Sequence, residues 1–170
     1  MQVFKDIAKE LRSLMRKLLC YEKYTLVFTG TELRSDDKVA LYIYDRLRSL
    51  GIKGIIKCEY GLENCIDRLR NVTKMLLVDA VLLRNLNPGN VVLCDLDEIS
   101  DETLITTHAI PLNHIIKLLR IVGSLRDVRV LGIRVKNLEI GNELSPEIRT
   151  VAESLIKILS DTLSSCYSQR

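Results

Sequence analysis

An α/β fold on a mixed, mostly parallel sheet is encoded here, and three observations carry that reading. Short apolar runs alternate with helical-period segments along the whole chain. The run Met75-Leu-Leu-Val-Asp-Ala-Val81 is almost continuously apolar, the pattern of a central parallel strand buried on both faces. The run Tyr24-Thr-Leu-Val-Phe-Thr29 is aromatic and β-branched, ends at Gly30 and leads through a short loop into a helix. In such a strand–loop–helix unit the loop lies at the carboxyl ends of the strands, where α/β sheets bind ligands.

The first segment, residues 3–19, has helical spacing. Val3, Phe4, Ile7, Leu11, Leu14, Met15 and Leu18 share one stripe, with Lys5, Lys9, Arg12 and Arg16 off it. Residues 1–22 are expected to add an amphipathic N-terminal helix to a single domain of residues 1–170. Its stripe is expected to pack on the domain, although a basic amphipathic helix also suits a membrane surface.

After Gly30, Asp36 stands where a helix begins and can accept the free N–H groups of its first turn. Asp37 has no capping duty and is left facing the crevice. Val39, Leu41, Ile43, Leu47 and Leu50 continue with helical spacing. Residues 52–58 read as a second strand, and Tyr60-Gly-Leu-Glu-Asn64 turns the chain into a helix reaching about Asn71. Asp79 is the one charge in the central run, costly there unless bonded to backbone N–H groups or placed where the strand leaves the sheet.

Asn85-Leu-Asn-Pro-Gly-Asn90 is a turn. It leaves too few residues for a parallel crossover, so the next strand, residues 91–94, is antiparallel to its neighbour. Residues 95–107 form an acidic, then Thr-rich loop. Pro111 opens a helix to about Gly123, and residues 128–135 form the fifth strand. Ser145-Pro-Glu147 starts the last helix, with Ser as cap and Pro at the first helical position.

Composition narrows the function classes. The 170 residues carry a net charge of +3 and no Trp, with aromatics at 5%. That leaves neither a basic patch nor a stacking platform for nucleic acid. No apolar run approaches a membrane span. The five cysteines, Cys20, Cys58, Cys65, Cys94 and Cys166, form no C-x-x-C pair. This argues for a reducing, cytoplasmic setting and against a zinc ribbon or a disulfide framework. Cys58 and Cys94 read as strand packing. Scarce Gln with abundant Ile, Leu, Arg and Lys is a composition of thermophilic type.

The chemistry on offer is acidic. Asp37, Asp79 and His108 come from three junctions of one sheet, and two carboxylates with an imidazole suit a first-row divalent metal. His114, inside a helix, reads as a solvated or partly packed side chain. No G-x-S-x-G elbow, G-x-G-x-x-G loop or G-K-[ST] motif is present.

Four stretches together resemble the hydrogenase maturation proteases, which process the large subunit of nickel–iron hydrogenases. They are Gly30-Thr-Glu-Leu-Arg-Ser-Asp-Asp37, Leu76-Leu-Val-Asp-Ala80, Thr106-Thr-His-Ala-Ile-Pro-Leu112, and Leu131-Gly-Ile133 followed by Leu144-Ser-Pro-Glu147. Gly61-Leu-Glu-Asn64 is similar to the family's P-E-N turn. The resemblance spans residues 24–160. It implies a three-layer α/β/α sandwich with a mixed, mostly parallel five-stranded sheet. It further implies that the protein cuts a C-terminal extension from a hydrogenase large-subunit precursor, its partner.

On the same ground Asp37, Asp79 and His108 contact nickel carried by that substrate, with Asp37 and Asp79 as candidate catalytic residues. Gly30, Gly61, Glu63, Asn64 and Thr107 meet the substrate, and the enzyme works as a monomer. Departures are Thr31 where the family has Asn, and Phe28, Ser35, Lys38 and Ala40 where glycines surround its acidic pair. Lys38 could pair with Asp37. A non-catalytic relative that binds nickel or the nickel-loaded precursor is the alternative, and an unrelated small-ligand module is the third reading.

Overall fold

A computed structural model of the chain describes residues 1–4, 7–83, 85–98 and 111–167. Six strands form one sheet: β1 (Gln2–Phe4), β2 (Thr25–Gly30), β3 (Ile56–Glu59), β4 (Lys74–Val81), β5 (Val91–Asp95) and β6 (Asp127–Arg134). Their order is β1-β5-β6-β4-β2-β3. The four central and edge strands β6, β4, β2 and β3 run parallel, while β5 and β1 are antiparallel. The antiparallel β5 was expected from the short connection before it.

Side chains alternate across each strand and so sort into two cores. On one face Leu26, Phe28, Leu76 and Val78 pack with α1 (Ile7–Arg16), α2 (Val39–Ser49) and α5 (Pro146–Tyr167). On the other, Val27, Met75, Leu77 and Val130 pack with α3 (Ile66–Leu69) and α4 (Leu112–Val122). The result is the expected three layers.

Among the described residues the sheet has six strands, not five, and the extra strand lies where a helix was expected. Gln2–Phe4 pairs antiparallel with β5, Phe4 opposite Val91. Two apolar residues in a row fit either periodicity, and the outer edge of β5 offers unpaired backbone groups that this segment satisfies. The helix begins at Ile7 and ends in a π-helical turn, Lys17–Tyr21. The part of the expected stripe at Leu11, Met15 and Leu18 is borne out. Leu11, Met15 and Leu18 are fully buried, and α1 packs on α5. Each such side chain contributes about 1.5–3 kcal/mol relative to exposure. The second strand starts at Ile56 rather than Ile52, because Gly51 and Gly54 take positive φ and break the extended run.

The cysteines overturn the expectation of no disulfides. Cys20 is bonded to Cys166 and Cys58 to Cys65, with Cα–Cα distances of 5.2 and 5.6 Å. Neither pair has a local signature. The first spans 146 residues, so only the packing of α5 beside the end of the N-terminal helix brings it together. Cys94 is free and buried in β5.

At the amino edge of the sheet, the Tyr24 hydroxyl donates to the Asp127 carboxylate. Lys74 and Arg129 lie over the Tyr24 ring, at 5.5 and 5.9 Å from its centre, and Arg129 Nε is 3.1 Å from an Asp95 oxygen. Burial, then the hydrogen bond to Asp127, holds the Tyr24 phenol well above its ordinary pKa. Among the described residues no helix is long and apolar enough to cross a membrane.

Candidate active site

The carboxyl edge is assembled around Gly30, the last residue of β2. Its φ is +154°, and a Cβ there would collide with the backbone carbonyl oxygen of Asp37. Only glycine lets the acidic turn fold back so closely on the strand end. That turn, Ser35–Lys38, is 3-10 helical and packs against the ends of both β2 and β4. Asp37 within it is only 4% exposed, and its N–H donates to the Arg34 carbonyl at 3.0 Å.

Asp36 does not cap a helix, contrary to the sequence expectation. It is fully buried and accepts from the backbone N–H groups of Lys136, Asn137 and Ser145 and from the Ser145 hydroxyl, at 2.6–3.0 Å. Ser145 thus starts α5 as predicted, but its hydroxyl donates to Asp36. Asp36 lies inside the 3-10 turn that precedes α2, and no side chain caps that helix.

Asp79 is the third residue from the end of β4 and is 3% exposed. Its neighbours Val78 and Ala80 face the α1–α2–α5 core, so Asp79 faces the α3–α4 side. Its Oδ1 accepts the Ala80 N–H at 2.8 Å, the backbone-bonded arrangement weighed for a buried strand carboxylate. Asp79 near the end of β4 and Asp37 in the turn that packs on the ends of β2 and β4 are therefore brought to the same edge. His108 and Thr107 lie outside the described residues. The helix that follows them is oriented by its ends. Ser124, just past α4, donates to the Arg70 carbonyl near the start of β4, while α4 also packs on the turn Leu62–Cys65 that follows β3. Eleven residues span about 16 Å, so α4 begins toward the carboxyl edge. Among the described residues, no three His, Cys, Asp or Glu side chains are grouped to hold a metal ion.

The turn carrying Gly61, Glu63 and Asn64 sits beside Gly30. Tyr60, at φ +63°, donates its N–H to the Gly30 carbonyl at 2.9 Å. Gly61 has φ +129°, and the Glu63 carboxylate fills the place its Cβ would take. Asn64 Nδ2 donates to the Glu59 carbonyl at 3.2 Å, which caps the end of the edge strand. Cys58–Cys65 closes this turn, so Cys58 is more than the strand packing expected of it. A groove of about 450 Å³ runs alongside, lined by Tyr44, Lys57, Glu59, Tyr60, Asn64 and Arg68. Lys57 Nζ lies 3.2 Å from Glu59, 3.3 Å from Asp45 and 3.7 Å from Glu32. Burial opposes its charge, but the carboxylates outweigh that and hold its pKa above the ordinary lysine range.

The family departures are accommodated. Thr31 Oγ1 accepts the Leu33 N–H at 3.2 Å, a turn that an Asn side chain makes in the same way. Phe28 and Ala40 are core residues, and Ser35 fills the space beside Gly141. The Lys38 ammonium reaches the Asn142 carbonyl. His114 is exposed, as expected. Sequence reasoning missed the Asp36 partners, because they lie 100 or more residues away, and it missed the groove. The doubled acid at 36–37 was the one available signal.

A family model described as hydrogenase maturation protease matches residues 61–162. The hydrogenase 3 maturation protease of Escherichia coli K12 is 38% identical over 74 residues, 42% of this chain. The match spans 46% of that protein, about half its length. The crystal structure of the NiFe hydrogenase maturation protease HycI from Thermococcus kodakarensis KOD1 superposes with a TM-score of 0.72 at 19% identity, covering 89% of this chain and 99% of that one. The solution structure of the endopeptidase HycI from Escherichia coli gives 0.63 at 24% identity, over 81% and 88%. The structural likeness speaks for the fold, and the family match covers well over half of the sequence: the chain belongs to the hydrogenase maturation protease family.

Proposed function

We propose that this protein is an endopeptidase that removes the C-terminal extension of a nickel–iron hydrogenase large-subunit precursor once nickel is inserted. The observation that carries the reading is the pair Asp37 and Asp79, both buried at the carboxyl edge of neighbouring strands in a chain of this family. Two carboxylates at one edge repel, and a divalent cation relieves that repulsion. Nickel in the substrate supplies the cation, so it joins precursor to enzyme and reports that insertion is complete. Asp37 and Asp79 offer carboxylate oxygens and His108 a ring nitrogen, a donor set suited to nickel. Gly30, Gly61, Glu63, Asn64 and Thr107 border the bound precursor, and the two aspartates are the candidates for an aspartyl-type hydrolysis. The enzyme acts as a cytoplasmic monomer, with neither nucleic acid nor membrane as partner.

The test is incubation of the purified protein with nickel-free and nickel-loaded precursor, followed by mass measurement of the large subunit. Only the loaded form is expected to shorten. Asp79→Asn keeps the side-chain shape but removes a charge, and should lower cleavage by at least the ten- to hundredfold typical of residues around a metal. Equal cleavage of both precursor forms would sink nickel sensing. Binding of the loaded form without cleavage would favour the non-catalytic alternative.

A further inference from the structure

Resting on the endopeptidase reading, we propose that Asp36 is a positioning residue that fixes Asp37 at the site through the strap formed by residues 136–145. Both Asp36 oxygens are occupied. Oδ1 accepts the Ser145 N–H at 2.6 Å, and Oδ2 accepts Lys136 N–H, Asn137 N–H and Ser145 Oγ–H at 3.0, 2.9 and 3.0 Å. Its charge is answered by four donors of its own chain, which fix the carboxylate and with it the backbone of the acidic turn.

The strap binds the turn in return. Asp36 N–H donates to the Asn137 carbonyl and Ser35 N–H to the Glu139 carbonyl, both at 3.1 Å, and Gly141 N–H donates to Leu33. Arg34 donates to the Leu138 carbonyl at 3.1 Å, and Lys38 to that of Asn142. The strap is itself shaped locally, since Asn137 Oδ1 accepts the Glu139 N–H at 2.8 Å. Asp37 follows Asp36 directly and has its carbonyl pressed against Gly30. Movement of Asp36 therefore moves Asp37 against β2.

The experiment is a double-mutant cycle on the full chain, with nickel-loaded precursor as substrate. Asp36→Asn should raise KM at least tenfold with a smaller change in kcat. Combined with Asp37→Asn it should add less than threefold to the loss that Asp37→Asn causes alone, because Asp36 acts through Asp37. Losses that multiply in the double variant would overturn the proposal, as would Asp36→Asn kinetics within twofold of wild type. Ser145→Ala removes one donor and keeps the rest. If Asp36→Asn fails to fold, Ser145→Ala decides by the same non-additivity. If the wild-type protein cuts no precursor, the endopeptidase reading fails by itself. Positioning is then judged by hydrogen exchange at the Asp37 amide in Ser145→Ala: exchange at least tenfold faster supports it, and an unchanged rate overturns it.

Discussion

At the carboxyl edge of the sheet the Asp36 carboxylate is met by backbone N–H groups, whereas at the amino edge Asp127 and Asp95 are met by a phenol and a guanidinium. Backbone donors cannot swing away, so they hold an acid in one place. Side-chain partners carry their own rotamer freedom and answer charge more than position. Each edge also has a disulfide of its own kind. Cys58–Cys65 closes a local turn beside the candidate site, while Cys20–Cys166 borders a cavity of about 160 Å³ at the amino edge and joins distant parts of the chain. One edge is built to place groups and the other to hold the fold.

The sharpest test of that division uses the two bridges. Chain-entropy bookkeeping gives about 5 kcal/mol for the 146-residue separation and about 2.5 kcal/mol for the 7-residue one. Replacing Cys20 and Cys166 by Ser should therefore lower Tm by roughly twice as much as replacing Cys58 and Cys65, measured by calorimetry. Cleavage should follow the opposite order, with the second pair costing more because it frees the turn around Gly61. Equal losses of activity from both pairs would erase the distinction between the edges.

A smaller effect is expected from Tyr24→Phe, which removes the hydrogen bond to Asp127 and keeps the ring under Lys74 and Arg129. The cost should be about 1–3 kcal/mol in denaturant unfolding, with cleavage unchanged. A change in KM would show that the two edges are coupled.

The smallest expected effect concerns Cys94. Burial pushes its thiol from 9.0 up to about 11, so it stays protonated and unreactive at neutral pH. Iodoacetamide at pH 8 should leave the native chain unlabelled at this position by mass spectrometry. The folded state binds this proton more tightly, so its stabilising effect is complete below about pH 9 and is lost as pH rises through 11.

Much of this architecture was legible where a residue's role depends on its neighbours in the chain. The apolar run of β4, the glycine ending β2, the short turn before β5 and the Ser-Pro-Glu helix start all act locally. The placement of Asp37 and Asp79 at the carboxyl edge was legible from their positions in those patterns. Asp36 was misread as a cap because its true partners, Lys136, Asn137 and Ser145, lie on the far side of four strands in sequence. The disulfides and β1 escaped for related reasons. Bridges depend on which elements become neighbours, and a three-residue edge strand has too short a period to be told from a helix start.

The strap also has a bearing on when the site comes into being. Residues 30–37 are made first, and the groups that grip Asp36 follow 100 or more residues later, after β6. Contacts so distant in sequence form late, because the intervening chain must close first. During synthesis the acidic turn therefore stays ungripped until residues 136–145 have emerged and β6 has paired with β4. A chain stopped before that point would carry both candidate aspartates without the strap that grips the acidic turn, which confines an assembled site to a polypeptide extended past residue 145.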